Sequence, residues 1–222
     1  MLVYERMTHH PITVYPDMPI EAALKLMREE KVRRFPVIDR KTQKLVGMVT
    51  EKDLLYASPS PATSLSIHEI HYLLSKITVE QVMSKNLYTV AEDVPIEEAA
   101  RIMVDRGVGA LPVMRGDALV GIITETDLFK VFIELFAARQ EGVRVTLLVP
   151  EKKGVLHQIT QVVLDLDGNI VSLGTFQGAD LSNRLLTIKV AGVQEAELSQ
   201  RLTEIGIKVI DARTCSFVER NC

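Results

Sequence analysis

Cysteine, tryptophan and long apolar runs are what this sequence has least of. Its 222 residues include no tryptophan and two cysteines, Cys215 and Cys222, both near the C-terminus. Two cysteines are too few for a disulfide framework or a zinc site, so we expect free thiols. The chain has no run of about 18 apolar residues, and its first residues lack the charged start and apolar core of a signal peptide. These absences predict a cytoplasmic protein without a membrane partner.

An excess of positive charge is also missing. The chain has 26 lysines and arginines against 29 aspartates and glutamates, a formal net charge of -3, and its basic residues form no run. Binding to nucleic acid requires a basic patch that neutralises phosphates, so we expect no nucleic-acid partner. The histidines lack the companion ligands of a metal site. We find no activated nucleophile, paired catalytic carboxylates or Walker glycine loop, so the sequence predicts no enzyme activity.

The sequence does contain a duplicated segment. The pattern Pro-Ile-Glu-x-Ala begins at Pro19 and again at Pro95. The pattern Leu-Val-Gly-x-x-Thr-Glu-x-Asp-Leu begins at Leu45 and again at Leu119. The offset is 76 in the first pattern and 74 in the second, so one connecting loop differs by two residues. A repeat of this kind indicates two copies of one structural unit, which usually form sites between them.

Each copy has the same local pattern. An extended segment, residues 12–14 or 87–90, precedes an amphipathic helix that we expect Asp17 or Asp93 to cap. Two β-branched runs then form a hairpin, and a helix follows that begins at Thr-Glu-x-Asp. Each unit is therefore predicted to be β-α-β-β-α. Between the copies, a Ser-Pro-Ser-Pro segment begins at Ser58, and a capping-box pattern opens a short helix from Ser66 to Ser75.

Two such units, each with Gly-x-x-Thr-x-x-Asp after its last strand and an apolar-Pro-Val segment before it, resemble a tandem pair of CBS domains, or Bateman module. The resemblance covers roughly residues 3–132. It implies adenine-nucleotide binding in clefts of the pair, with the base between apolar strand residues and the aspartate on the ribose. The positions that it implies are Thr13, Val14, Phe35, Pro36, Thr50 and Asp53 in the first repeat, and Thr89, Val90, Leu111, Pro112, Thr124 and Asp127 in the second.

Two questions remain open at these positions. A threonine hydroxyl and a carboxylate can hold the polar end of a nucleotide, but Thr-x-x-Asp is also a helix N-cap. The first repeat carries Arg33 and Arg34, either of which is a natural phosphate partner, or an exposed pair that faces solvent. The second repeat has Gly109 and Ala110 at the matching positions.

Residues 125–141 are predicted to form one long helix that ends at Gly142 and is buried on more than one side. The strands and helices after it follow the order βαββαβ, a ferredoxin-like plan. The pattern Val149-Pro150-x-x-x-Gly154, followed by Gly168-Asn169, resembles an ACT domain. That resemblance implies amino-acid binding at an interface, or a module that only pairs subunits. Its implied site comprises Lys153, Gly154, Val155, Leu156 and Asn169.

The predicted fold is thus mixed α+β: two CBS-type repeats packed as a pair, and a ferredoxin-like ACT domain. We assign residues 1–57 to the first repeat, 58–78 to a linker with a short helix, 79–141 to the second repeat with its connecting helix, and 142–222 to the ACT domain. This order resembles the small acetoin-utilisation B-type proteins of bacteria. It implies a homodimeric regulatory protein that senses an adenine nucleotide, without a catalytic cofactor, and acts on an unidentified metabolic partner. The alternative is a scaffold that binds no small molecule.

Overall fold

The computed structural model describes residues 1–57, 76–178 and 180–216. Its chain divides into two compact units, Met1–Leu128 and Phe129–Cys222. The division falls inside the helix that we assigned to the second repeat. The short helix predicted from Ser66 to Ser75 lies outside the described residues.

The first unit contains both repeats. After a 3₁₀ turn at Val3–Glu5, the first repeat comprises β1 (Thr8–His9), α1 (Ile20–Glu29), β2 (Arg34–Ile38), β3 (Leu45–Thr50) and α2 (Glu51–Tyr56). The second comprises α3 (Val79–Val82), β4 (Val90–Ala91), α4 (Ile96–Arg106), β5 (Ala110–Arg115), β6 (Ala118–Thr124) and the start of α5 (Glu125–Leu135). The predicted hairpins and helices are present in both copies, and the mixed α+β fold is confirmed.

The ends of two predicted elements differ from expectation. Helices α1 and α4 begin with Pro19 and Pro95 as their N-cap residues, and neither has a side-chain cap. The expected cap Asp17 lies two residues before Pro19 and accepts instead from Arg40 at 3.1 Å. The extended segment expected at residues 12–14 forms a single β-bridge, between Val14 and Val37. Prolines at positions 11 and 16 flank it and supply no N–H for a longer ladder.

The two repeats exchange the short segments that precede residues 12–14 and 87–90. Thr8 and His9 in β1 pair with Ile122 and Gly121 in β6, so the N-terminal strand of the first repeat joins the sheet of the second. The reciprocal contact is a bridge between Met48 in β3 and Ser84, which precedes the second repeat's other strands. Each repeat is therefore completed by backbone hydrogen bonds from the other.

The glycines of the repeated motif make this exchange possible. Gly47 lies against Met83, and Gly121 lies against Met7, where each methionine precedes the exchanged segment of the opposite repeat. A Cβ on either glycine would overlap the methionine sulfur and lie 3.0 Å from its Cγ. The motif glycine thus leaves room for the methionine of the partner segment, which is a packing role.

We expect Gly121→Ala to lower the free energy of unfolding of the first unit by about 1–3 kcal/mol, because the added methyl group overpacks the Met7 contact. Urea unfolding of the single variants and of Gly121→Ala combined with Met7→Ala measures the coupling. The alanine at position 121 should cost less when Met7 is already shortened. Equal costs in both backgrounds would show that the two residues do not press on each other.

The second unit is an antiparallel sheet with two helices. After the end of α5, its elements are β7 (Gly142–Pro150), α6 (Val155–Asp165), β8 (Asn169–Gln177), β9 (Asn183–Ala191), α7 (Glu195–Glu204) and β10 (Lys208–Cys215). The sheet order is β10-β7-β9-β8 with every neighbouring pair antiparallel. This is the ferredoxin-like plan expected from the sequence. Its core includes Leu147, Ile159, Ile188, Leu198 and Leu202, all fully buried.

Helix α5 ends at Leu135, so the prediction of one helix over residues 125–141 was wrong. Ala137 adopts a left-handed conformation with φ 46°. Its N–H donates to the Glu134 carbonyl and the Ala138 N–H donates to the Ile133 carbonyl, both at 2.9 Å. These are the two hydrogen bonds of a Schellman motif, which usually has glycine at this position. Because alanine takes the place of this glycine, the sequence gives no signal that the helix ends here.

A buried lysine holds the segment after this helix end. Lys189 in β9 is 4% exposed, and its Nζ donates to the carbonyls of Ala137 at 2.9 Å and Gln140 at 2.8 Å. The neighbouring Phe136 ring packs over Gly174 and stacks on Phe176 with ring centroids 5.7 Å apart. The segment therefore covers part of the sheet face opposite the helices. Lys189 ties it to β9 through the carbonyls of Ala137 and Gln140, the first of which also accepts from the Gln140 N–H at 3.0 Å.

We expect Lys189→Met to destabilise the second unit by about 1–3 kcal/mol, because the carbonyls of Ala137 and Gln140 lose their hydrogen bonds to a buried cation. Urea unfolding, together with amide hydrogen exchange in β7 and β9, measures the effect. The control is Lys208→Met on an exposed lysine of β10, which should change stability by less than about 0.5 kcal/mol. A Lys189→Met protein as stable as the wild type would contradict a structural role for these bonds.

Candidate functional site

A cleft of about 240 Å³ opens in the first unit, and residues of both repeats line it. The exchange of extended segments explains this composition, since the bridge between Met48 and Ser84 brings the start of the second repeat beside the end of β3. The first repeat contributes Arg34, Met48, Thr50 and Asp53, and the second contributes Ser84, Asn86, Leu87, Tyr88, Gly107, Val108, Gly109, Ala110 and Pro112. The lining thus combines apolar surface with several polar groups, and small-molecule sites also contain both.

The first Thr-x-x-Asp motif forms a complete capping box at the start of α2. Asp53 Oδ2 accepts from the Thr50 backbone N–H at 2.9 Å and from the Thr50 hydroxyl at 2.7 Å. In return, Thr50 Oγ1 accepts from the Asp53 N–H at 3.3 Å. All of these bonds use Oδ2, and within the described residues Asp53 Oδ1 accepts none. The cap therefore leaves one carboxylate oxygen of a cleft residue for a ligand, so capping and binding are compatible.

The second motif forms the same cap in a more enclosed place. Asp127 Oδ2 accepts from the Thr124 N–H at 3.1 Å and from the Thr124 hydroxyl at 2.7 Å. The Asp127 residue is only 9% exposed, whereas Asp53 is partly exposed and lines the cleft. The two repeats thus place equivalent aspartates in different surroundings, and the first motif is the more accessible of the two.

Of the two neighbouring arginines, Arg34 lines the cleft, while Arg33 is exposed and does not line it. Burial is the largest influence on Arg34 and lowers its pKa, the nearby Glu125 carboxylate raises it, and Arg33 lowers it further. Arginine stays protonated throughout the physiological range, so this guanidinium brings a fixed positive charge to one end of the cleft. A cationic fork in a half-buried position suits an anionic group of a ligand.

The structure places only some of the implied positions in this cleft. Thr50 and Asp53 share their cleft with Pro112 of the second repeat, whereas Pro36 is buried and does not line this cleft. The apolar positions that the resemblance implied are core residues, at most 5% exposed: Val14, Phe35, Val90 and Leu111. Thr13 is partly exposed and Thr89 is exposed, and neither lines the cleft.

Most of the second repeat's contribution to the cleft was missed from sequence. The residues concerned are Ser84, Asn86, Leu87, Tyr88, Gly107, Val108, Gly109 and Ala110, with Met48 from the first repeat. They lie before β4 and around the start of β5, and no motif in the sequence marks them as cleft residues.

The residues expected to bind an amino acid lie at two ends of the second unit. Gly154 is the N-cap of α6 with φ 88°, Val155 is buried, and Lys153 and Leu156 are exposed. Asn169 pairs with Ala191 at one end of the sheet, whereas Pro150, shortly before Gly154, pairs with Asn183 at the other. The 11 residues of α6 separate the two places by roughly 16 Å along the helix. One chain therefore does not bring this predicted set together.

Among residues 1–57, 76–178 and 180–216, no group of three or more His, Cys, Asp or Glu side chains is placed to hold a metal ion. No helix in this part of the chain is both long enough and apolar enough to span a membrane.

Comparison with known proteins assigns the class of this fold. The CBS domain family matches residues 3–60 and 79–134, just over half of the chain. The family described as TTHA0829-like ACT domain matches residues 141–213. The chain therefore belongs to the CBS domain family, as a tandem pair of CBS domains followed by an ACT domain.

Individual relatives share mainly the CBS pair. A candidate acetoin utilization protein (AcuB) from Vibrio cholerae is 31% identical, with a TM-score of 0.51 over 62% of this chain and 93% of that one. A CBS domain-containing protein from Dictyostelium discoideum is 30% identical over 61% of this chain and 93% of its own length. An uncharacterised protein from Methanocaldococcus jannaschii is 31% identical over 55% of this chain, which spans only 46% of that relative.

Proposed function

We propose that this protein is a regulatory ligand sensor that binds an adenine nucleotide in the cleft beside Thr50 and Asp53 and performs no chemistry on it. The observation that carries the proposal is the unused oxygen of Asp53 in an open cleft. A carboxylate oxygen in this setting accepts hydrogen bonds from ribose hydroxyls. The membership in the CBS and ACT families supports a regulatory role.

The remaining lining matches the other parts of a nucleotide. Leu87, Val108 and Pro112 offer apolar surface for a purine ring. Arg34 offers a fixed charge for a phosphate group, and Ser84 and Asn86 add polar groups at the rim. Binding alone is sufficient for regulation, because a coupling free energy of about 1–3 kcal/mol between sites shifts the state of a partner.

We extend the proposal to a cytoplasmic homodimer. Strands β10 and β8 lie at the edges of the sheet in the second unit, and such edges favour pairing with a second copy. Pairing of two copies is also the arrangement that would allow Gly154 and Asn169 to meet across an interface and hold an amino acid. The likeness to the Vibrio cholerae protein supports a metabolic partner in acetoin or acetate utilisation.

The second candidate function is a scaffold that pairs subunits and binds no small molecule. One observation favours it: both Thr-x-x-Asp motifs are complete capping boxes, so their side chains already have a structural use. This alternative expects Asp53 and Asp127 to matter for stability alone.

We expect wild-type protein to bind AMP, ADP, ATP or S-adenosylmethionine with micromolar affinity in calorimetric titration, worth about 8 kcal/mol. Asp53→Asn should weaken the binding by about 10- to 100-fold, because it replaces the free charged acceptor with an amide. The matched control is Asp127→Asn, the same change in the enclosed copy of the motif, which should retain the binding at the first cleft.

Thermal unfolding of both variants separates binding from stability. Lost binding in a folded Asp53→Asn protein supports the sensor. Absence of heat with every nucleotide, with both variants merely less stable, would establish the scaffold instead.

We expect Arg34→Met to weaken AMP binding by about tenfold while leaving adenosine binding nearly unchanged, because methionine keeps the apolar stem and removes the charge. Titration of both ligands with the wild type, Arg34→Met and the exposed control Arg33→Met measures this. Equal losses for AMP and adenosine would mean that Arg34 shapes the cleft and does not contact phosphate.

A further inference from the structure

Opposite charges from the two repeats meet above Gly109 at the edge of the cleft. A Cβ on Gly109 would lie 2.8 Å from Glu125 Oε2 and 3.0 Å from Arg34 Nη1, so both charged groups occupy the space beside this glycine. The Glu125 N–H also donates to the Gly109 carbonyl at 3.2 Å. Arg34 and Gly109 both line the cleft. The carboxylate of Glu125, an exposed residue, thus lies near the positive end of the binding site.

The equivalent positions of the two repeats do not repeat this grouping of charges. The residue that matches Glu125 in the first repeat is Glu51, whose N–H donates to the Arg33 carbonyl at 2.9 Å. The residues that match Arg34 and Gly109 are Ala110 and Arg33, so the equivalent place has no guanidinium where Arg34 stands and no glycine beside it. The charge pair therefore arises from differences between the copies, and it is absent from the motif that they share.

The carboxylate changes what the cleft can accept. A ligand phosphate that approaches Arg34 is repelled by the negative charge of Glu125. The exposed Arg33 attracts the same phosphate. Glu125 also raises the pKa of Arg34, which supports an electrostatic interaction between the two groups. The repulsion from Glu125 grows with the negative charge of the ligand, so it is stronger for a triphosphate than for a monophosphate.

We propose that Glu125 is a specificity residue that limits the negative charge accepted at the Arg34 end of the cleft, so that the site prefers a nucleoside monophosphate to a triphosphate. This inference rests on the proposed nucleotide binding and names its ligand class. Glu125 acts through the electrostatic field beside Arg34, and Gly109 provides the space for it.

The test is calorimetric titration of adenosine, AMP and ATP with the wild type, Glu125→Gln and the matched control Glu51→Gln. We expect the wild type to bind AMP more tightly than ATP. In Glu125→Gln, adenosine affinity should stay the same, AMP should bind about three-fold more tightly, and ATP should gain more than AMP. Glu51→Gln should leave all three affinities unchanged. Circular dichroism and thermal unfolding verify that both variants fold.

The outcomes separate this inference from the proposal beneath it. A smaller preference for AMP over ATP in Glu125→Gln alone supports the inference. Nucleotide binding with the same AMP-to-ATP ratio in all three proteins, or a wild type that prefers ATP, overturns it and leaves the sensor intact. Absence of binding by the wild type to all three ligands overturns nucleotide sensing itself.

Discussion

The exchange of extended segments between the two repeats is the interaction on which the first unit depends. Met7 and Met83 occupy the space left by Gly121 and Gly47, and the strand pairing of Thr8 and the bridge of Ser84 follow directly after them. A side chain at either glycine would overlap the methionine, which would have to move. Because the segments come from opposite repeats, neither copy completes its sheet alone. Residues of both repeats therefore line the cleft.

The same exchange explains how a duplicated sequence builds an asymmetric site. Thr50 and Asp53 from one copy face residues around Gly109 from the other, so differences between the copies meet in one place. Arg34 supplies a cation that the second copy lacks, and Glu125 supplies an anion close to it. The caps formed by both motifs are alike, but their surroundings are not. Ligand selectivity is therefore expected to come from the residues that diverged, while the shared residues maintain the local backbone.

At the start of the second unit, a helix end is held by a buried lysine. The Schellman turn at Ala137 ends α5, and the buried Lys189 binds the carbonyls that follow it. The cost of burying a lysine is offset by these two hydrogen bonds, which tie the segment after the helix to the central strand β9. The segment after α5 is thus held against the sheet of the second unit.

The sequence by itself determined the two repeats, their hairpins and helices, the ferredoxin-like order of the second unit, and the family of each part. These features depend on periodicity, turn residues and motif spacing, which are local properties of the chain. The pairing of Asp53 with Pro112, the choice of Arg34 over Arg33, and the end of α5 at an alanine were decided only by tertiary structure. Each depends on contacts between distant segments, and local sequence patterns do not show which distant segments come into contact.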